Sequence, residues 1–296
     1  MAEESRLPNY GGQALIEGIL MRGSHSLAAA FRKPSGEIVV QTEQLSGIYT
    51  GKLKKIPLLR GLILLWDSLG LGMRYITISA NHQTETEEEK IEGPTLVFTL
   101  IFSIALGIGL FFLLPALVGH WLEILFNWSS WLGNLFEGVF RLLLLLLYIW
   151  GIGKMPEIHR VFQYHGAEHK AINGFEARKE LTPENLMPVS IQHPRCGTAF
   201  LLTLVILSIL VFTLLGPLSV WLRLLSRVVL LPAIAGLAYE YIRWTANHLD
   251  NKLVCNIVKP NLALQLLTTA EPEPAMLEVS IAAFNAMLQE EEKYQT

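Results

Sequence analysis

Six consecutive leucines at 142–147 sit inside an apolar stretch running over residues 137–152. Three more such stretches occur, at approximately 94–118, 197–215 and 220–241. Crossing the hydrocarbon layer of a bilayer takes about 20 helical residues, because no water there satisfies backbone N–H and C=O groups. The leucine-rich stretch reaches that length once residues 131–136 are added in front of it. Trp121, Trp128, Trp131, Trp150, Trp221 and Trp244 lie at or near the ends of these stretches, where an amphipathic indole sits best. The expected class is therefore a mainly α, polytopic membrane protein with about four transmembrane helices within residues 94–261. With 51% hydrophobic and only 17% charged residues, the composition agrees. A net charge of −3 excludes nucleic acid as the main partner, since phosphate binding needs a basic surface.

Charge outside the apolar stretches sets the expected orientation. Ten Lys/Arg precede the first stretch, six lie between the second and third, and none lies between the first and second. Arg223 and Arg227, placed near a turn between the third and fourth, are a weak counter-signal. The positive-inside rule then puts both termini and the loop 153–196 in the cytoplasm. The N-terminus lacks a basic segment followed by an apolar one, so no cleavable signal peptide is expected and insertion relies on internal segments. With two cysteines, Cys196 and Cys255, no disulfide framework is expected, and Cys255 is read as a buried small hydrophobe.

The remaining segments read as cytoplasmic or interfacial. Residues 1–55 are polar and glycine-rich, with a β-hairpin expected over 27–33 and 37–42 around Pro34-Ser35-Gly36. Residues 56–80 carry Arg60, Asp67 and Arg74 at seven-residue intervals in an apolar background. Central charges cost roughly 2.5–3.5 kcal/mol each on insertion scales, which predicts an interfacial or protein-packed helix within a unit 56–93. An acidic run at 85–92 predicts a solvated linker. The tail 262–296 predicts a helix with Met276, Val279, Ala283 and Met287 on one docking face.

The chemistry concentrates in the loop 153–196. There His165-Gly166-Ala167-Glu168-His169 puts two imidazoles and a carboxylate at i, i+3 and i+4, one face if the segment is helical. In inverted zinc-peptidase motifs of this form the histidines bind the metal and the glutamate is the base. Zinc lowers the pKa of a coordinated water towards about 7. Four of the eight histidines (His159, His165, His169, His193) and one of the two cysteines lie in this loop. A third ligand comes from His193, Cys196 or Glu240, the last an acid in an apolar helix with Arg243 as its alternative partner. His193 and Cys196 together would close the site and make it structural. His159 reads as a surface residue. Gln13, Glu17 and Arg22 either belong to a cytoplasmic cap or fold back over the metal site.

The segments GGQALIEGILMRG (11–23), HGAEHKAINGFE (165–176), HPRCGTAFL (193–201) and LTTAEP (267–272) resemble the YqhQ-like family of bacterial multi-pass membrane proteins of unknown function. The resemblance implies a metal-dependent enzyme and a bacterial cytoplasmic-membrane location. It also places Gln13, Glu17, Met21 and Arg22 in one family motif, and His165, Glu168, His169, His193, Arg195 and Cys196 in others. Ala270 stands where that family usually has arginine. The expected activity is metal-assisted hydrolysis of a membrane-associated substrate, with zinc as the first choice of divalent metal. Glu168 would be the base, and Arg195 or Arg22 would meet an anionic group. A non-catalytic assembly or interaction factor with a structural metal site, acting on a partner protein, is the second expectation. Transport is the weakest, since Arg141 is the strong charge inside the spans and sits near an end.

Overall fold

The computed structural model describes residues 10–45, 56–84 and 93–294. The acidic run 85–92 lies outside them, as do residues 1–9 and 46–55. The first elements form an antiparallel four-stranded meander in the order β1 (Gly11–Leu15), β2 (Gly18–Arg22), β3 (Ser26–Arg32) and β4 (Ile38–Gln44). The 27–42 hairpin is therefore joined by a second hairpin that glycine-rich residues 11–23 conceal. Leu15 pairs with Gly18 around a two-residue turn, and Glu17 takes a left-handed φ of 49° there.

Strand alternation explains the apolar run in β2 and β3, because both sheet faces are covered. Ile19, Met21, Ala28 and Ala30 face one core with Tyr164, Ala167, Met276, Ala283 and Met287. Leu15, Leu20, Leu27, Ala29 and Phe31 face the other, with Tyr75. The first core is supplied by α5 (Pro156–Glu176) and α11 (Pro274–Glu292), the second by α1 (Leu59–His82). Gly23 lets the β2–β3 turn approach α11, where the buried Glu291 accepts from the N–H groups of His25 and Ser26 at 2.7 Å each.

α1 is the helix expected at residues 56–80. Arg60 forms a two-pronged pair with Glu240, and Arg74 donates to Glu43 at 3.0 Å. Trp66 and Leu69, by contrast, are exposed.

The long apolar body contains α2 (Gly93–Ile108), a π-turn (Gly109–Leu113), α3 (Leu114–Phe126), α4 (Ser130–Ile152), the short α6 (Pro183–Leu186) in the α5–α7 connection, α7 (Thr198–Leu214), α8 (Val220–Val229), α9 (Leu231–Ala246) and α10 (Lys252–Gln265). Among the described residues two helices are long and apolar enough to cross a membrane, 93–126 and 130–152. The pair α8–α9 adds a third if it is one span, but it is bent by 43°. Pro232 in the first turn of α9 explains the break, since proline cannot donate to the preceding turn. α7 is apolar but has only 17 residues.

Arg141 is not the solitary charge expected in this body. It donates to Glu137 at 2.7 Å, to Ser208 at 2.8 Å and to the Phe111 carbonyl of the π-turn at 2.8 Å. Arg227 donates to both oxygens of the same Glu137 and to Asn134. Arg223 pairs with Glu123. Arg141, Arg223, Arg227 and Glu137 are all fully buried. The two arginines assigned to a turn therefore lie inside α8 and point into the bundle. Cys255 also departs from expectation. It is exposed, on the outward face of α10 beside the buried Val254.

Candidate metal centre

Pro156 opens α5 at a position where its missing N–H costs nothing, and the helix continues through His165, Glu168 and His169. The loop that follows is pinned back onto the same helix. Asn173 donates to the carbonyls of Ser190 and Gln192 at 2.9 and 3.0 Å. Gln265 of α10 then clamps His193 from both sides, accepting from its N–H at 2.9 Å and donating to its carbonyl at 2.7 Å. These clamps bring Cys196, at the entrance to α7, back over α5.

The result is a compact corner. The ligand atoms of His165, His169 and Cys196 all lie within 4.8 Å of one another. His165 Nε2 stands 3.2 Å from Cys196 Sγ. His165 Nδ1 faces the Thr268 carbonyl at 2.9 Å, and His169 Nδ1 faces the Ile191 carbonyl. A carbonyl only accepts, so each ring carries a proton on Nδ1 and Nε2 is the nitrogen turned inward. His169 Nε2 is buried and has no hydrogen-bond partner among the described residues. A lone pair left in that state costs free energy unless something fills it. The first turn of α7 aims the Thr198 N–H and hydroxyl at the thiol, at 3.4 and 3.2 Å.

Glu168 lies beside the corner, its carboxylate 3.9 Å from His165 Nε2. Burial pushes its pKa up to about 7, against the opposing pull of the His165 charge and the Gly12 N–H. A side chain on Gly12 would meet the Leu20 carbonyl at 2.7 Å and Glu168 Cγ at 2.8 Å, so only glycine lets β1 pass this close. Gly166 plays the same part on α5, where a Cβ would strike the Ala270 carbonyl. These glycines, with Thr268, Ile191 and Gln265, are the supports that reading for side-chain chemistry overlooks. The glycines left a trace in G-G-Q and H-G-A-E-H, and Thr268 in L-T-T-A-E-P.

The other expected site residues are distributed around the corner. His193 is buried, its ring centre 5.8 Å from that of His169. Its Nε2 lies nearest Glu176, at 3.7 Å, and burial lowers its pKa despite that carboxylate. Arg195 lines the cavity but spends its guanidinium on Glu176. Gln13 lines the same cavity of about 360 Å³. Glu17 instead binds Arg160 and Tyr164, one turn below the site. Arg22 contacts Ser68 at 3.3 Å beside a separate pocket. Glu240 is held by Arg60 and the Leu58 N–H, and is not among the clustered ligand atoms. His159 is exposed.

A family described as "Protein of unknown function (DUF1385)" matches residues 56–290. The "Uncharacterized protein YqhQ" of Bacillus subtilis (strain 168) is 34% identical over 304 residues, covering 97% of this chain and 95% of that protein. No solved structure matches. The chain thus belongs, over almost its whole length, to the YqhQ-like, DUF1385 family.

Proposed function

We propose that the protein is a membrane-embedded, metal-dependent hydrolase acting at the cytoplasmic face of a bacterial inner membrane. One observation carries the reading. Two imidazoles, one buried and one partly buried, are fixed by backbone carbonyls and turn their Nε2 atoms to the same point as a thiol. Metal-ligating histidines are held in this way, through the other ring nitrogen. In a tetrahedral zinc site with bonds of about 2.0–2.3 Å the ligand atoms stand about 3.3–3.6 Å apart, so small side-chain shifts suffice here. Two nitrogens and one sulfur suit zinc better than a harder cation.

A divalent ion at this point supplies Lewis-acid activation of water at neutral pH. The protein's own residues do the rest. His165, His169 and Cys196 hold the position, while Glu168 takes a proton from the attacking water at its carboxylate. The Thr268 and Ile191 carbonyls fix the ring orientations. Arg195, which lines the same cavity while paired with Glu176, is the cation assigned to meet an anionic group. The surrounding architecture is four crossings, made by α2–α3, α4, α7 and the bent pair α8–α9. Both termini are cytoplasmic, and α1 lies along the interface.

Metal content of the purified full chain tests this reading. Stoichiometric zinc in wild type that is lost in both His165→Ala and Cys196→Ala supports it, and metal-free wild type ends it. A second reading, a structural site in an assembly factor, draws on the buried Nε2 of His193, which has Glu176 at 3.7 Å but no hydrogen bond among the described residues. X-ray absorption separates the two, because a fourth protein ligand means a closed site and an exchangeable oxygen an open one.

A further inference from the structure

An apolar chamber of about 370 Å³ lies between the π-turn, α4, α5 and α7, walled by Phe111, Tyr148, Ile152, Phe162, Leu201 and Thr268. It falls within the size range of ligand pockets. Two of its walls, Phe162 and Thr268, also line the cavity that holds His165, Glu168 and Cys196. Thr268 is the residue whose carbonyl orients His165, and the Phe162 carbonyl accepts from Ala270 N–H at 2.9 Å. One partition therefore separates a polar chamber from an apolar one. Tyr148 is 45% exposed and Leu201 38%, so these two walls also face the outside of the helical body.

The chamber turns no polar surface toward a guest. Arg141 is among its walls, but its guanidinium is spent on Glu137, Ser208 and the Phe111 carbonyl. A polar metabolite or a peptide would leave its donors and acceptors unpaired there, whereas a hydrocarbon chain loses nothing. From this adjacency we infer that the substrate is an amphiphile with one acyl or alkyl chain. The chain enters between Tyr148 and Leu201 and fills the apolar chamber, and its polar head reaches past Phe162 and Thr268 to Cys196 and Glu168. The inference rests on the catalytic reading of the His165 corner and assigns its substrate class.

The probe is palmitate carrying a diazirine near its methyl end, added to the full chain in phosphatidylcholine vesicles and irradiated. Label is expected on Tyr148, Ile152, Leu201 or Leu204. Leu204→Trp narrows the chamber and should cut that label roughly tenfold, the loss expected when about two methylenes can no longer be buried. Bound metal should not change. Leu201→Trp serves the same end if Leu204→Trp does not fold, and if neither folds the wild-type map decides. Label confined to outward residues such as Val97 and Phe102, or equal in wild type and a folded chamber variant, overturns the inference. His165→Ala separates the two ideas, since it should lose metal and keep the label. Metal-free wild type with label in the chamber defeats the hydrolase reading and leaves the chain site. Metal-loaded protein with label only on the perimeter defeats the amphiphile alone.

Discussion

Cys196 Sγ lies 3.2 Å from His165 Nε2, across 31 residues of sequence, because α10 and α5 both hold the intervening loop. The contact depends on the Gln265 clamp as much as on either partner. It is also where competing chemistries meet, a metal corner or a bare thiol–imidazole pair.

Chelation distinguishes them. If a metal had been bound at a thousandfold over its Kd, removing it should cost about 4 kcal/mol of stability. A chelator should then lower the melting temperature of wild type and leave Cys196→Ala unchanged. Equal melting of wild type with and without chelator would favour the bare pair. Glu168→Gln should keep its metal and lose turnover of any substrate found. Loss of metal in that variant would make Glu168 a ligand.

Gly12→Ala should cost about 1–3 kcal/mol, the usual penalty for forcing atoms into a packed site. The added methyl meets the Leu20 carbonyl and the Glu168 side chain together, so β1 must lift away from α5. Gly11→Ala is the control, with nothing among the described residues within 4 Å of its added Cβ. Similar melting of the two variants would refute the close approach.

The long helices were legible because hydrophobic length is local information. The H-x-x-E-H face was legible because helical spacing is local too. What escaped was set by distant partners. Glu240 looked like a ligand because an acid in an apolar helix demands a partner, but Arg60, 180 residues away, supplies it. Arg223 and Arg227 looked like turn charges because Glu123 and Glu137 on other helices were out of view. Residues 11–23 concealed a hairpin, since glycine has low strand propensity and the central turn residues, Ile16 and Glu17, include no glycine.

Glu291 should make the fold sensitive to acid. Burial raises its pKa, but the His25 and Ser26 N–H groups and the Ser26 hydroxyl outweigh that and hold it below its ordinary value. Its folded form binds a proton less readily than its unfolded form. The stabilisation is therefore complete above about pH 4.5 and fades as pH falls through the folded pKa. Glu291→Gln should lose about 1–3 kcal/mol at pH 7 and show a flatter stability profile from about pH 5 to 3. Parallel profiles for variant and wild type would remove Glu291 from the acid response.

Glu137 serves two buried arginines at once. Glu137→Ala strands both and should cost about 3–5 kcal/mol. Adding Arg227→Met should recover part of that loss, because one unpaired charge goes with it. Additive losses in denaturant unfolding of the two variants would show that the groups do not interact.

Topology is open to a test that uses the chain's own thiol. With Arg223 and Arg227 buried in ion pairs, neither counts as a free loop charge, and the positive-inside signal in the loop 153–196 stands unopposed. The connection between α7 and α8 should then face outward, and the α9–α10 region inward. Ser219 is an exposed residue in that connection and its side chain makes no capping bond, so Ser219→Cys is nearly neutral. Cys255 is an exposed thiol beyond α9. A membrane-impermeant maleimide should label Ser219→Cys in intact spheroplasts, within a Cys255→Ser background, and should reach the native Cys255 only in inverted vesicles. Labelling of both from the same side would mean that α8 and α9 fold back as a re-entrant pair, which removes the last of the proposed crossings.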